Sequence, residues 1–311
     1  MDTEFLDWAL ADFSGYVAAD ELYDGPFCVL SAVDNRCYKR LLYDVLDHDP
    51  THEDIRAFLR RLQTALAARD LTLLGMTTDG SPLYPTPLAE VLSGVPHQLC
   101  QFHVVKDIVK AVVKAVSSER KRLAAQQPKL PRGRPSTQAA KQAARTKRRL
   151  EAQRAALFSA RYLFVQRHLN KTERKTLWRI TRGLPQVRML RALMDQVYAL
   201  FDRRCRTHTA LDKLAKLRRR VQRFGSLADT LKKLFAPTLE KALTFLDEKL
   251  LPATSNAVER GNRRYRKMQR NVYRVRTQAQ IRVRLALDMW REAQAEGRQH
   301  TLQTLHDARA G

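Results

Sequence analysis

Leu71-Thr72-Leu73-Leu74-Gly75-Met76-Thr77-Thr78-Asp79-Gly80 is the stretch on which the fold turns. Leu71 to Thr77 reads as a buried-type strand, and Asp79-Gly80-Ser81-Pro82 closes it with turn residues. Upstream, residues 14–50 carry three further strand-like runs: Tyr16 to Leu22, Phe27 to Val33 and Tyr38 to Leu46. Gly25-Pro26, Asp34-Asn35 and His48-Asp49-Pro50 punctuate them, which fits an antiparallel meander. Between the meander and Leu71, Thr51-His52-Glu53-Asp54 resembles a capped helix start, followed by Ile55, Phe58, Leu59, Leu62 and Leu66 at helical spacing. Downstream, Leu88 to Leu92 reads as a short helix and Val95 to Phe102 as a last strand. Three strands, helix, strand, helix, strand is an α/β order, with right-handed crossovers wherever strands run parallel.

From His103 onward the pattern is helical. Val104, Ile108, Val109, Val112 and Val116 form one stripe. Pro128, Pro131, Gly133 and Pro135 break the pattern between Gln126 and Thr137. Helical spacing resumes from about Gln138 to Leu169 and again from Lys171 to Lys249. Leu251-Pro252-Ala253 interrupts, Ser255 or Asn256 caps a very basic helix, and a final helix runs from about Thr277 to Ala295 with Ile281, Leu285, Met289 and Trp290 on its apolar side. Met1 leads almost directly into the first strand pattern, so no separate amino-terminal module is expected.

The chain has 311 residues and a net charge of +25, unevenly spread. Residues 1–100 hold 7 Lys and Arg against 16 Asp and Glu, a net of −9; the remainder holds 50 against 16, a net of +34. An acidic segment joined to a strongly basic one points to a polyanionic partner, nucleic acid above all. The excess is beyond what solubility needs, so a merely solvated basic surface is the weaker account. Cys28, Cys37, Cys100 and Cys205 form no CxxC pair. No signal peptide is visible and no apolar run reaches membrane-spanning length, so a cytosolic, reduced protein without membrane partners is expected.

Three acids stand in settings that suit chemistry. Asp20 follows the apolar run from Gly15, Asp79 ends its strand, and Glu259 opens the basic helix Asn256-Ala257-Val258-Glu259-Arg260-Gly261-Asn262-Arg263-Arg264. Functional groups gather at the carboxyl ends of strands in open α/β sheets. Brought together, three carboxylates can hold two divalent ions, and hard oxygen ligands suit Mg²⁺. Each acid also has a plainer account. Asp20 can be an ordinary strand-end acid, with Asp24 or Asp34 equally good by spacing, and alternation turns Glu21 to the opposite face. Asp79 can be a turn aspartate. Glu259 can complete a capping box with Asn256. Against that, Glu259, Arg263, Arg266 and Arg270 share one helical face, while Val258, Tyr265, Met268 and Val272 share another.

Taken together, Asp20-Glu21, Thr78-Asp79-Gly80, Cys100-Gln101-Phe102-His103, a long helical insertion and Ser255-Asn256-Ala257-Val258-Glu259-Arg260 resemble DDE transposases over roughly residues 10–296. More narrowly they resemble the Mutator-like and related bacterial insertion-sequence type, with a Cys-x-x-His motif and a helical insertion before the glutamate. The resemblance implies an α/β, RNase H-like mixed sheet interrupted by a large all-α insertion. Its parts would be 1–103, 104–250 and 251–311, the last bearing the catalytic Glu helix. It implies Asp20, Asp79 and Glu259 as catalytic metal ligands for two Mg²⁺ ions, with Mn²⁺ able to substitute. It also implies hydrolysis of one strand at a transposon end, then attack of the freed 3′ hydroxyl on target DNA. The partners implied are double-stranded DNA and a second copy, as a homodimer or higher synaptic assembly, in a cytoplasmic, nucleoid-associated setting. The amino-terminal zinc-binding or helix-turn-helix module that often precedes such a core is not expected within this sequence. A catalytically inactive, domesticated DNA-binding protein and an RNase H-like nuclease without strand transfer are the competing readings.

Other motifs fall in the basic part. Arg260, Arg263, Arg264, Arg266, Lys267 and Arg270 on the Glu259 helix are candidate phosphate contacts. Pro131-Arg132-Gly133-Arg134-Pro135 resembles an AT-hook core, whose Arg132 and Arg134 would enter an A·T-rich minor groove; a flexible basic loop explains it equally well. Cys100 and His103, with His97, do not share a strand face and suit zinc poorly; a packing and hydrogen-bonding role near the site is the better reading. Trp178 is expected in a helical core rather than stacked on a base.

Overall fold

The computed structural model describes residues 3–130, 133–223, 231–270 and 277–294, apart from the side chains of residues 233, 238 and 270. Two compact units emerge: Met1–Cys100 with Glu248–Gly311, and Gln101–Asp247.

The first unit is a mixed α/β structure. Its strands are β1 (Tyr16–Asp24), β2 (Phe27–Asp34), β3 (Arg40–Leu46), β4 (Gly75–Thr78) and β5 (His97–Leu99). They form one sheet in the order β3-β2-β1-β4-β5. β1, β2 and β3 are the expected antiparallel meander. β4 pairs parallel with β1, and β5 parallel with β4. Helix α2 (His52–Ala67) begins at the predicted cap: the Thr51 side chain accepts from the Asp54 amide and the Asp54 side chain from the Thr51 amide. α3 (Pro85–Val91) starts on prolines, which need no amide partner in a first turn.

Strand alternation divides the β1 side chains between two layers. Val17 and Ala19 face a core built with Ile55, Phe58, Leu59 and Leu62 of α2 and Leu88 of α3. Ala18 and Leu22 face the opposite layer, formed by α10 (Asn256–Arg270) and α11 (Gln278–Gln294). There Ala257 and Val258 pack on Ala18 and Val33. Tyr265, Ile281 and Leu285 pack on Leu22, Val29 and Val45. The segment leading into α10 is stitched to the sheet: Tyr16 Oη donates to Glu248 Oε1 at 3.2 Å, Asn35 Nδ2 to the Thr254 carbonyl at 2.9 Å, and Thr77 Oγ1 to the Pro252 carbonyl at 3.0 Å.

Several expectations are corrected here. Helix α1 (Thr3–Leu10) precedes the first strand and buries Phe5, Ala9 and Leu10; eight residues are too few for a clear periodic signal. β4 is shorter than the apolar run. Leu71 to Leu74 lie outside it in irregular chain, and both Leu74 and Gly75 donate to the Gly15 carbonyl. β5 ends at Leu99, because helix α4 (Gln101–Ala125) already begins at Gln101. Tyr38 lies in the turn before β3, with φ +64°.

The second unit is helical among its described residues. α4 is followed by α5 (Gln138–Ser159), α6 (Lys171–Ile180), α7 (Pro185–Leu200), α8 (Thr207–Gln222) and the single turn α9 (Thr238–Lys241). Ile108, Val112 and Val116 of the predicted stripe are buried, as are Leu190, Leu193 and Val197 of α7 and Leu214 and Leu217 of α8. Arg218 is spent internally, on Glu240 and on the Leu234 and Ala236 carbonyls. Trp178 is 60% exposed, against expectation; Leu177 and Ile180 fill the inward face of α6 instead.

Candidate active site

β1 and β4 run parallel, with Ala19 opposite Thr78 as their last paired positions. The next residue in each case is an acid, Asp20 within β1 and Asp79 just past the end of β4. Ligand oxygens of Asp20, Glu21 and Asp79 all lie within 4.8 Å of one another. Two oxygens on a shared Mg²⁺, each about 2.1 Å from it, sit roughly 3–4 Å apart, so this spacing is close to a ligand set. Asp20 and Asp79 are thus brought together as their strand positions suggest. Asp79 keeps its turn role too: its Oδ1 accepts from the Ser81 amide at 2.9 Å.

Glu21 is the member that sequence reasoning set aside. Alternation does turn it away from Asp20, toward Ser81 and Tyr84. At the end of β4, however, carboxylates from either face can reach the Asp79 side chain. Burial pushes the Glu21 carboxyl up from its ordinary value, and the Asp79 charge adds to this; hydrogen bonds from Ser81 and Tyr84 oppose it. Burial, followed by the charges of Glu21 and Asp20, holds the Tyr84 phenol well above its ordinary value, so it stays a donor. Glu21 Oε2 is buried with no hydrogen-bond partner among the described residues. Three hard carboxylates, one with a buried unsatisfied oxygen, fit a divalent cation.

Glu259 falls outside that trio. It lies half-buried on α10, with its carboxylate within 4.8 Å of Cys100 Sγ. One turn further along α10, Asn262 Nδ2 donates to Asp20 Oδ2 at 2.8 Å. Residues three apart on a helix are neighbours on its surface, so the Glu259 helix is tied directly to the acid on β1. The Ser255 carbonyl accepts from the Glu259 amide at 3.1 Å, which makes Ser255 the cap and Glu259 the fourth helical residue. The capping box expected from Asn256 is therefore not the geometry at this end.

The alternative acids are occupied elsewhere. Asp34 is fully buried and accepts from the Ser14 amide and hydroxyl and from the Arg36 and Cys37 amides. Asp24 accepts from Tyr265 Oη at 2.9 Å and Gln269 Nε2 at 2.7 Å. Cys100 Sγ accepts from the Ser255 amide at 3.4 Å, a packing role at the head of α10. His97 pairs with Thr78 Oγ1 at 2.9 Å, and His103 lies in the first turn of α4.

The basic candidates divide. Arg260, Arg263, Arg266 and Lys267 are exposed on α10. Arg264 is not available as expected: it binds Glu292 at 2.9 Å and Asp288 at 2.8 Å on α11. Helical spacing turns it toward that neighbour. Arg134 is exposed in its loop; Arg132 and the Arg270 side chain lie outside the described residues. Asn262 and Glu21 were missed by sequence reasoning. Asn262 left a signal, as an amide on the stripe Val258, Asn262, Tyr265, Gln269, each of which is buried.

Among the described residues no helix is long and apolar enough to cross a membrane. A family model described as Transposase, DDE_Tnp_ISL3, matches residues 28–285. That match does not carry the narrower Mutator-like placement. No curated protein and no solved structure matches the chain.

Proposed function

Because the chain belongs to the DDE_Tnp_ISL3 transposase family, and transposases act on DNA, we propose that Asp20, Asp79 and Glu259 form an RNase H-like catalytic centre. It cuts one strand at a transposon end and joins the freed 3′ hydroxyl to target DNA. The observation that carries this is the meeting of Asp20 and Asp79 at adjoining strand ends, with Asn262 tying the Glu259 helix to Asp20. Asp20, Asp79 and Glu259 would hold two Mg²⁺ ions, and Glu21 is placed to join them. Such ions, when bound, lower the pKa of an attacking water or hydroxyl and stabilise charge on the leaving oxygen.

The chain's own residues supply the rest. Asn262 holds one Asp20 oxygen and so orients the carboxylate. Ser81 fixes the Asp79 carboxylate from the turn side. The exposed Arg260, Arg263, Arg266 and Lys267 offer phosphate contacts along the helix whose Asn262 holds Asp20. The all-α unit adds 36 Lys and Arg against 10 Asp and Glu across residues 101–247, enough to grip a duplex without reading its sequence. Two paired ends call for a dimer or a higher synaptic assembly.

The test is nicking of supercoiled plasmid in Mg²⁺ or Mn²⁺, compared with Asp79→Ala and Glu259→Gln. Metal-dependent nicking abolished in both variants supports the reading. DNA binding with no nicking under any metal would leave a non-catalytic, domesticated DNA-binding protein. Nicking without joined products would leave a nuclease.

A further inference from the structure

In the turn between β2 and β3 one bulky residue occupies a backbone state that disfavours it. Tyr38 has φ +64°, a left-handed conformation that glycine adopts freely and that costs a side chain with a Cβ. The turn around it is rigidly built. Asp34 takes four hydrogen bonds from Ser14, Arg36 and Cys37. The Tyr38 amide donates to the Asp34 carbonyl at 2.9 Å. Asn35 ties the turn to Thr254, just ahead of α10. The residue is 44% exposed and belongs to no buried core cluster among the described residues. What it does touch is Arg260, whose guanidinium lies 4.7 Å from the ring centroid. Arg260 directly follows Glu259, and Arg263, Arg266 and Lys267 continue the exposed charge along the same helix.

An exposed aromatic ring beside a guanidinium is how proteins hold single-stranded nucleic acid: the ring stacks on a base and the cation takes the phosphate. We propose that Tyr38 and Arg260 form a platform for one unpaired nucleotide next to the carboxylates, keeping a strand end in place after the duplex opens there. This rests on the catalytic reading for its purpose and not for its measurement. In this turn the ring lies beside Arg260 and open to solvent.

The experiment uses the full chain in EDTA, which stops cleavage. Two fluorescent duplexes are titrated by anisotropy, identical except that one carries a short 3′ single-stranded extension. Wild type should bind the extended duplex roughly tenfold more tightly than the blunt one. Tyr38→Phe should keep the preference, and Tyr38→Gly should erase it while blunt-duplex affinity stays the same. Glycine also relieves the turn, so the melting midpoint of Tyr38→Gly should hold or rise. A preference that survives in Tyr38→Gly overturns the proposal. So does a drop of more than about 5 °C in that variant's midpoint, which would make the ring a structural prop. Wild type binding both duplexes equally, while still nicking plasmid in Mg²⁺, removes the platform and leaves the transposase reading intact. Wild type binding neither removes both.

Discussion

Asn262 shows how much a single side chain can carry. Its amide crosses from α10 to β1 and restrains one oxygen of Asp20. Groups that orient metal ligands typically matter by 10–100-fold in affinity or activity. Asn262→Ala is therefore expected to weaken Mg²⁺ binding by about tenfold, measured by calorimetry, with little change in the melting midpoint. A large loss of stability with unaltered metal affinity would contradict this. Glu21 should behave differently. Burial and Asp79 both disfavour its charge, so Glu21→Gln is expected to raise the melting midpoint at neutral pH while lowering Mg²⁺ affinity. Neither role was legible beforehand. An amide carries no charge to draw notice, and alternation correctly turned Glu21 off the Asp20 face. What alternation omits is that β4 stops at Thr78 while β1 runs on to Asp24, so carboxylates from both faces of β1 can reach the acid just past the end of β4.

At the scale of elements, α10 is seated by a close approach. A Cβ at Gly261 would meet Arg40 Nη2 at 2.8 Å, and Arg40 is 3% exposed, held near Asp288 and under the burden of its own desolvation. Alanine in a helix interior normally gains about 1 kcal/mol over glycine. Here the clash should reverse the sign, so Gly261→Ala is expected to cost about 1–3 kcal/mol in denaturant unfolding. A stabilised variant would show that α10 is not seated on Arg40. The start of α2 offers a pH test. His48 lies on Asp47 and Asp54, which raise its pKa above the ordinary 6.5, the Asp47 bond foremost. A raised histidine contributes stability that is complete below pH 6.5 and is lost as pH climbs through the raised value. Amide protection factors in the first turn of α2, with the intrinsic base-catalysed rise in exchange divided out, should fall over that interval, and His48→Gln should flatten the dependence. The cap itself was readable from Thr51 and Asp54 because a cap is local; α1, with too few turns to display a period, was not.

For the whole molecule the governing quantity is charge. A net +25 concentrated outside residues 1–100 makes counterion release the main source of DNA affinity. Affinity for an arbitrary duplex is expected to fall at least about 10³-fold between 50 and 200 mM salt, as for six or more phosphate contacts. A shallow slope in a salt titration would argue against an extended basic interface. That expectation needed only the sequence, as did the alternating runs of β1 to β3, the apolar stripes of α2 and α4, and the acid at the end of the Leu71–Thr78 run. All of these follow from composition or from contacts a few residues apart. Only the tertiary structure decided which acids meet. Asp20 and Asp79 adjoin because β4 pairs parallel with β1 rather than with β3, and Asn262 reaches Asp20 because α10 packs on the Ala18 and Leu22 face. Arg264 passed from DNA candidate to structural anchor by the direction it faces on α10. Such pairings join residues far apart in the chain, and no local preference of spacing or charge encodes them.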